Sequence, residues 1–405
     1  ENPAANSSQS PENKLAMPSQ VLAGPYATYL MALMGAEVIK IEKPGAGDWT
    51  REGGGIPALS ERKMGLSYLT QNSDKKSLTL DLKKPEGLSI AKRLIGTADI
   101  FVENFKPGVA ERLGLGFEVV EKLSPKIVYC SISAFGQNGP FSGRPAYDHV
   151  IQGMSGIMKT TGAPNSGPTK VGAPYIDYAT GMNAALAAVS GVLEVQRTGG
   201  AVQLDVSMLD TSLMLMASLL TTHLSTGWVP EQTGNEARSQ SPSSGAFDTS
   251  DGTLMLAANT EQQFLKMCQA IGRLDILKDH RWSTAEGRKK NSAQLRAELV
   301  KVFRSRPANE WEELLNDYGV PAGRVRGLEE ILREEQIAAR GLMTTLSIEG
   351  VEQEVYVPSL SFRANGAAIT AAHSPAALGA DTDEVLDSLG YEGDAREALR
   401  AVGTI

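Results

Sequence analysis

One aspartate, Asp177, stands between the loop Gly172-Ala173-Pro174 and a stretch of helical periodicity that begins at Tyr178. In that place it reads as the N-cap of the helix, where a side-chain oxygen takes a free backbone N–H. The positive end of the helix dipole favours negative charge, which should keep the carboxylate ionised. An ionised carboxylate among glycine-bearing loops can attack an acyl carbonyl. Capping alone would account for the same residue, so spacing leaves both readings open.

The other chemical candidates are weaker. The four histidines, His149, His223, His280 and His373, include no two at metal-ligand spacing. His149 reads as a residue at a helix start, and His223 as packed in an apolar helical stretch. No Gly-x-Ser-x-Gly elbow occurs, which argues against a serine hydrolase. Gly114-Leu115-Gly116 lacks the third glycine of a dinucleotide fingerprint, and Phe117 begins a helix instead. Glu42 ends a strand as a ribose-binding acid would, but a solvated strand-end carboxylate explains it as well. Cys130 and Cys268, the two cysteines, have no metal-type spacing and point to a reducing compartment.

The elements that must position these residues alternate. Leu78, Leu80 and Leu82 alternate as in a strand with one buried face. Pro85 opens a helix to about Ile95, Ile100-Phe101-Val102 is a buried run, a helix covers Val119 to Leu123, and Ile127-Val128-Tyr129 is another buried run. With a helix over Tyr26 to Met34 and a strand over Glu37–Ile41, this predicts an α/β fold with a doubly wound parallel sheet. Ligands of such sheets sit beyond the carboxyl ends of the strands. The segments there are Lys43-Pro44-Gly45, Glu103 to Gly108, and Ser133-Ala134-Phe135-Gly136. A long amphipathic helix from Tyr178 to about Gln196 carries Ala179, Met182, Leu186, Val189 and Leu193 on one face. Residues 247–325 read as a smaller α+β unit, with a hairpin turn at Asp251-Gly252 and helices near 261–271, 291–304 and 308–318. A strand at Val355-Tyr356-Val357 and a closing helix near 382–389 complete the chain.

Composition bounds the partners. The 405 residues carry a net charge of −8, which argues against nucleic acid, since phosphate binding needs a large positive surface. No apolar run reaches the ~18 residues of a membrane span. The polar N-terminal stretch to Lys14 reads as a disordered lead-in without the regions of a signal peptide, so a cytoplasmic location is expected.

Several segments together resemble the class III coenzyme A transferases, the family of formyl-CoA transferase and carnitine CoA-transferase. They are Val21-Leu22-Ala23-Gly24-Pro25, Gly35 to Glu42, Lys75-Lys76-Ser77, Val102-Glu103-Asn104-Phe105, Ala146-Tyr147-Asp148, Val171 through Asp177 to Gly181, and Gly319-Val320-Pro321-Ala322-Gly323. The resemblance implies that Asp177 is the nucleophile, working through an aspartyl anhydride and an aspartyl-CoA thioester. No metal or separate cofactor is implied; the CoA thioester is itself substrate. Val21 and Ala23 match backbone contacts near the pantetheine. Lys43 matches a basic position near the nucleotide phosphates, and Leu80, Asn104, Phe105 and Arg112 match positions around the adenosine and its phosphates. Solvated charge would equally explain Lys43 and Arg112, and Phe105 could be core.

Two departures bear on the substrate. Formyl-CoA transferases carry glutamine where Leu22 stands, and a run of glycines where this chain reads Ser241-Pro242-Ser243-Ser244-Gly245. Formate and oxalate therefore fit poorly, and the resemblance to common members of the family implies a dicarboxyl-CoA donor such as succinyl-CoA. The racemase branch has a histidine base where this chain has Tyr147, and a tyrosine with a pKa of about 10 suits proton abstraction poorly. The alternatives are an α-methylacyl-CoA racemase-type isomerase and a non-catalytic acyl-CoA-binding dimer.

The family's architecture implies an interlaced homodimer with its active site between domains of the pair. Residues 1–225 and 326–405 would form the large domain and residues 226–325 the small one. The family's first strand precedes Val21. Here Lys14 to Gln20 is short and contains Pro18, which disfavours a central strand.

Overall fold

A computed structural model describes residues 13–405 except 238, 240 and 349. The N-terminal lead-in predicted from sequence therefore lies mostly outside the described residues. The chain divides into two compact units. One comprises the described residues up to 157, Val171–Thr226 and Glu335–Ile405; the other comprises Met158–Lys170 and Gly227–Glu334. The second unit thus takes in residues 158–170 as well as the segment starting near 226, and extends to 334.

The first unit is built on six parallel strands: β1 (Lys14–Met17), β2 (Glu37–Glu42), β3 (Lys75–Thr79), β4 (Ile100–Glu103), β5 (Val128–Ser133) and β6 (Val202–Ser207), in the order β3-β2-β1-β4-β5-β6. β1 is central, contrary to the expectation from Pro18. The proline falls just past the last paired residue, so it removes no ladder hydrogen bond, and Leu15, Ala16 and Met17 are fully buried. β3 starts and ends about three residues before the run suggested by the Leu78-Leu80-Leu82 alternation. Its partner β2 ends at Glu42, opposite Thr79, so the ladder stops there. Its first residue, Lys75, is buried with Nζ held by three oxygens, of Pro25, Gln71 and Asn72. A lysine at that place does not look like strand in an apolar pattern.

Helices cover both faces. α1 (Ala23–Leu33) and the long α5 (Tyr175–Thr198) lie on one side; α2 (Pro85–Ile95), α3 (Phe117–Leu123) and a late helix, Thr382–Ser388, lie on the other. The alternation of β2 shows the division: Val38 joins the core under α1 and α5, and Ile39 and Ile41 join the opposite core with Leu78, Leu94 and Phe101. Between α3 and α5 comes α4 (Asp148–Ser155), and after β6 come α6 (Met208–Leu215) and α7 (Ala217–Thr226).

α5 buries the opposite face from the one its large residues suggest. Ile176, Thr180, Gly181, Ala184, Ala185, Ala188 and Gly191 are buried, whereas Met182, Leu186, Val189 and Leu193 are exposed. The reason is closeness. A Cβ on Gly181 would stand 2.9 Å from the Ala23 carbonyl oxygen, and one on Gly191 would stand 2.7 Å from a Val128 methyl. Only small residues allow that approach to α1 and β5. His223, on α7, is also exposed rather than packed.

The second unit has an antiparallel sheet of β7 (Ser244–Asp248), β8 (Thr253–Ala257) and β9 (Ala322–Arg324), packed on the helices Glu261–Ala270, Ser292–Phe303 and Ala308–Asp317. Thr249 N–H donates to Gly252 C=O across the expected turn. Of the segment Ser241 to Gly245, the last two residues open β7. No helix among the described residues is long and apolar enough to cross a membrane, and no cluster of metal-binding side chains occurs among them.

Candidate active site

The strand order reverses between β1 and β4, so the crevice at their carboxyl ends is the place such a sheet offers a ligand. The turn 18–22 leaves β1 there, and residues 104–108 leave β4. Asn104 ties them together: its Oδ1 accepts from Gln20 N–H at 3.0 Å and its Nδ2 donates to Gln20 C=O at 2.8 Å. Its side-chain amide is thus engaged by the protein's own backbone. Phe105 is half-buried beside it, its N–H donating to Glu103 at 2.8 Å. Arg112 ends the short helix Val109–Arg112 and is exposed, its guanidinium close to Gly108 of the same loop. Lys43 is exposed directly after β2. Leu80, in contrast, is a fully buried core residue that could reach a ligand only through its backbone.

Asp177 is not the N-cap of its helix. Pro174 holds that position, and Asp177 is the third residue of α5. The cap comes from another element. Asp148, the first residue of α4 and itself buried, accepts the N–H groups of Ile176 at 2.8 Å and Asp177 at 3.2 Å. Gln152, one turn along α4, donates to Asp148 at 2.6 Å and accepts from Val171 N–H at 2.9 Å. The carboxylate of Asp148 therefore does the capping, and that of Asp177 is left for other work.

The electrostatics also depart from the simple helix-dipole expectation. Burial, and then the neighbouring charge of Asp148, lifts Asp177 to a pKa of about 7. The helix end does not keep it in the ordinary carboxylate range. A carboxylate so desolvated is more basic and a stronger nucleophile once ionised. Gly181 lies one turn further along α5, against the Ala23 carbonyl, so the start of α1 and the start of α5 adjoin. Val21, Ala23 and Asp177 are thereby brought to one region. Tyr147 occupies the N-cap position of α4, is largely exposed, and stacks on His149 with ring centroids 6.4 Å apart.

Several functional candidates gave no clear sign in the sequence. Glu42 is not a solvated strand end: it is buried, takes a two-pronged contact from Arg51 at 2.8 and 2.6 Å, and Arg51 and Lys40 hold it down to about 2 against its own burial. Lys40 and Asp48 form a second buried pair at 3.0 Å. Glu103, at the end of β4, is lifted to about 7 by burial, with the Ser131 hydroxyl and Phe105 N–H opposing. The Asp48-Trp49-Thr50-Arg51 segment behind a glycine-rich turn was the available signal for the first two pairs. The acid that closes a strand was the signal for Glu103.

The chain as a whole is similar to known proteins. A mouse succinyl-CoA:glutarate CoA-transferase is 34% identical over 392 residues, covering 96% of this chain and 88% of that protein. An acetyl-CoA:oxalate CoA-transferase of Acetobacter aceti is 34% identical over 326 residues, covering 80% of this chain and 82% of that one. A crystal structure of a CAIB/BAIF family protein from Brucella suis superposes with a TM-score of 0.81 at 29% identity, covering 93% of this chain and 98% of that one. The model of CoA-transferase family III matches residues 16–382. With a parallel sheet that reverses its strand order at β1 and β4, and a family match over nearly all its length, the chain belongs to CoA-transferase family III.

Proposed function

We propose that this CoA-transferase works through Asp177 as nucleophile and takes succinyl-CoA as donor. The ionised carboxylate attacks the thioester carbonyl and expels CoA thiolate, forming a mixed anhydride. The thiolate attacks the aspartyl carbonyl of that anhydride, giving an aspartyl-CoA thioester and the free donor acid. An acceptor carboxylate then attacks the aspartyl thioester, and the released thiolate attacks the acceptor's acyl carbonyl. Acceptor-CoA leaves and the Asp177 carboxylate is regenerated. Each step exchanges one acyl bond for another, so neither an oxidant nor a metal is called for.

The observation that carries this reading is the division of labour between Asp148 and Asp177. One buried carboxylate satisfies the helix N-terminus, and its charge helps to raise the basicity of the other. Lys43 and Arg112, both exposed near the crevice loops, are the groups for the CoA phosphates, as Arg pairs with phosphate in two-pronged fashion. The donor rests on the family resemblance and on the mouse relative's name. The relative named for oxalate stands at the same identity, so oxalate belongs in an acceptor panel beside glutarate despite the Leu22 departure. Incubation with succinyl-CoA and that panel, read by mass spectrometry of the CoA products, tests the assignment; no exchange with any acid would contradict it.

The exposed apolar face of α5, Met182, Leu186, Val189 and Leu193, together with Met214 and Leu215 of α6, is the surface we assign to a second copy of the chain. Large exposed apolar residues clustered on one helix face are the kind of surface that a protein partner covers.

A further inference from the structure

The turn between β1 and α1 contains a strained residue. Val21 has φ = +73° and is the single β-branched residue in the left-handed region among the described residues. Branching at Cβ makes that conformation unfavourable. Side chains hold it there by occupying all five polar backbone groups from the Ser19 carbonyl to the Val21 carbonyl. Lys40 Nζ donates to Ser19 C=O at 2.7 Å. Asn104 takes both groups of Gln20. The Asp48 carboxylate accepts from Val21 N–H at 3.2 and 3.4 Å, and Gln71 Nε2 donates to Val21 C=O.

Asp48 is itself fixed before it reaches the turn. Its carboxylate pairs with Lys40 at 3.0 Å, both side chains fully buried, and accepts the Thr50 N–H at 3.0 Å and hydroxyl at 2.8 Å. Its own N–H donates to Glu42, which Arg51 clamps. A fully buried ion pair is weak evidence for stability, since desolvation offsets the attraction. A backbone outlier held by surrounding structure is a reason to look for function. The helix that follows Val21 starts with no side-chain cap, at the sheet's switch point.

We propose that Asp48, braced by Lys40 and assisted by Gln71, is a positioning residue for acyl-CoA. It holds Val21 left-handed, and so sets the path of the chain into α1 at the crevice. This rests on the reading of Val21 and Ala23 as part of the acyl-CoA site.

The test uses the full chain, with succinyl-CoA as probe. Asp48→Asn and Gln71→Leu are each made alone and with Val21→Gly, because glycine adopts the left-handed conformation without being held. Steady-state kinetics and hydrogen exchange of the 18–24 backbone amides are measured below the melting temperature of every variant. The expected result is a KM for acyl-CoA raised about tenfold in each single variant with kcat changed less than about threefold, and faster exchange at the turn. Val21→Gly should bring KM back to within about threefold of the parent. If Asp48→Asn leaves Lys40 unpaired and does not fold, Gln71→Leu, which removes no charge, carries the test. A folded variant with unchanged KM, or a KM that glycine does not restore, would overturn the proposal. So would a lowered melting temperature that glycine restores while KM never moves, because that marks a purely structural pin. A parent that neither binds nor exchanges acyl-CoA would instead overturn the underlying site reading, while exchange at the turn would still report whether Asp48 holds Val21.

Discussion

At Asp177 two demands on one helix end are met by two carboxylates. Asp148 reaches across from α4 to the N–H groups of Ile176 and Asp177, and its charge stands beside the Asp177 carboxylate that we propose as nucleophile. The pKa of about 7 at Asp177 makes activity depend on its ionisation: kcat/KM should rise with pH through about 7 and level off above it. A profile flat between pH 5 and 9 would contradict this. The sign for stability is opposite. A carboxyl whose folded pKa is raised stabilises the fold while protonated, below its unfolded value, and that contribution is lost as pH rises through the folded value. Asp177→Asn removes the charge, so it should be more stable than the parent at pH 8, on the order of 1–2 kcal/mol after discounting for partial exposure. The gap should close near pH 4, as thermal melts of both proteins would show. Tyr147 is largely exposed. Tyr147→Phe should therefore lose about tenfold in transfer rate at most, the worth of one neutral hydrogen bond. Stopped transfer, with α-deuteration of the acyl group abolished as well, would assign it proton abstraction instead.

Among the elements, those with ordinary hydrophobic periods were legible: α2 opens at Pro85 and ends at Ile95, and β2 and β4 lie where apolar runs placed them. Three were misread for physical reasons. β3 begins with a buried lysine that three oxygens satisfy, which no apolar count anticipates. β1 tolerates Pro18 because pairing ends one residue earlier. α5 inverts the usual rule, burying glycine and alanine and exposing leucine, because backbone approach to α1 decides its face. At the site, Asp177 was visible from its loop-to-helix position, but the cap of its helix comes from Asp148, 29 residues away in the chain, and its raised pKa comes from burial first and the Asp148 charge second. Gly181 carries a prediction at this scale. Gly181→Leu would drive a side chain into the Ala23 carbonyl and the Tyr26 ring and should destabilise the protein by about 1–3 kcal/mol through overpacking. Gly200→Ala, with open space around it, should change little. Chemical denaturation of the two variants separates the outcomes, and equal midpoints would contradict the close packing.

For the whole molecule, a family match across residues 16–382 and the exposed leucine face of α5 bear on assembly and chemistry together. Leu186→Lys with Leu193→Glu should lower the mass found by light scattering from that of two chains to one and leave the melting temperature of the monomer unit within a few degrees; an unchanged dimer mass would place the contact elsewhere. The covalent role proposed for Asp177 is tested most directly by mass. The protein is mixed with succinyl-CoA without acceptor, quenched in acid, digested and weighed. One CoA should be found in thioester linkage on the peptide carrying Asp177, and Asp177→Asn should show none and lose at least about a thousandfold in transfer rate. Transfer at the parent rate by Asp177→Asn, or an adduct on any other peptide, would contradict the account.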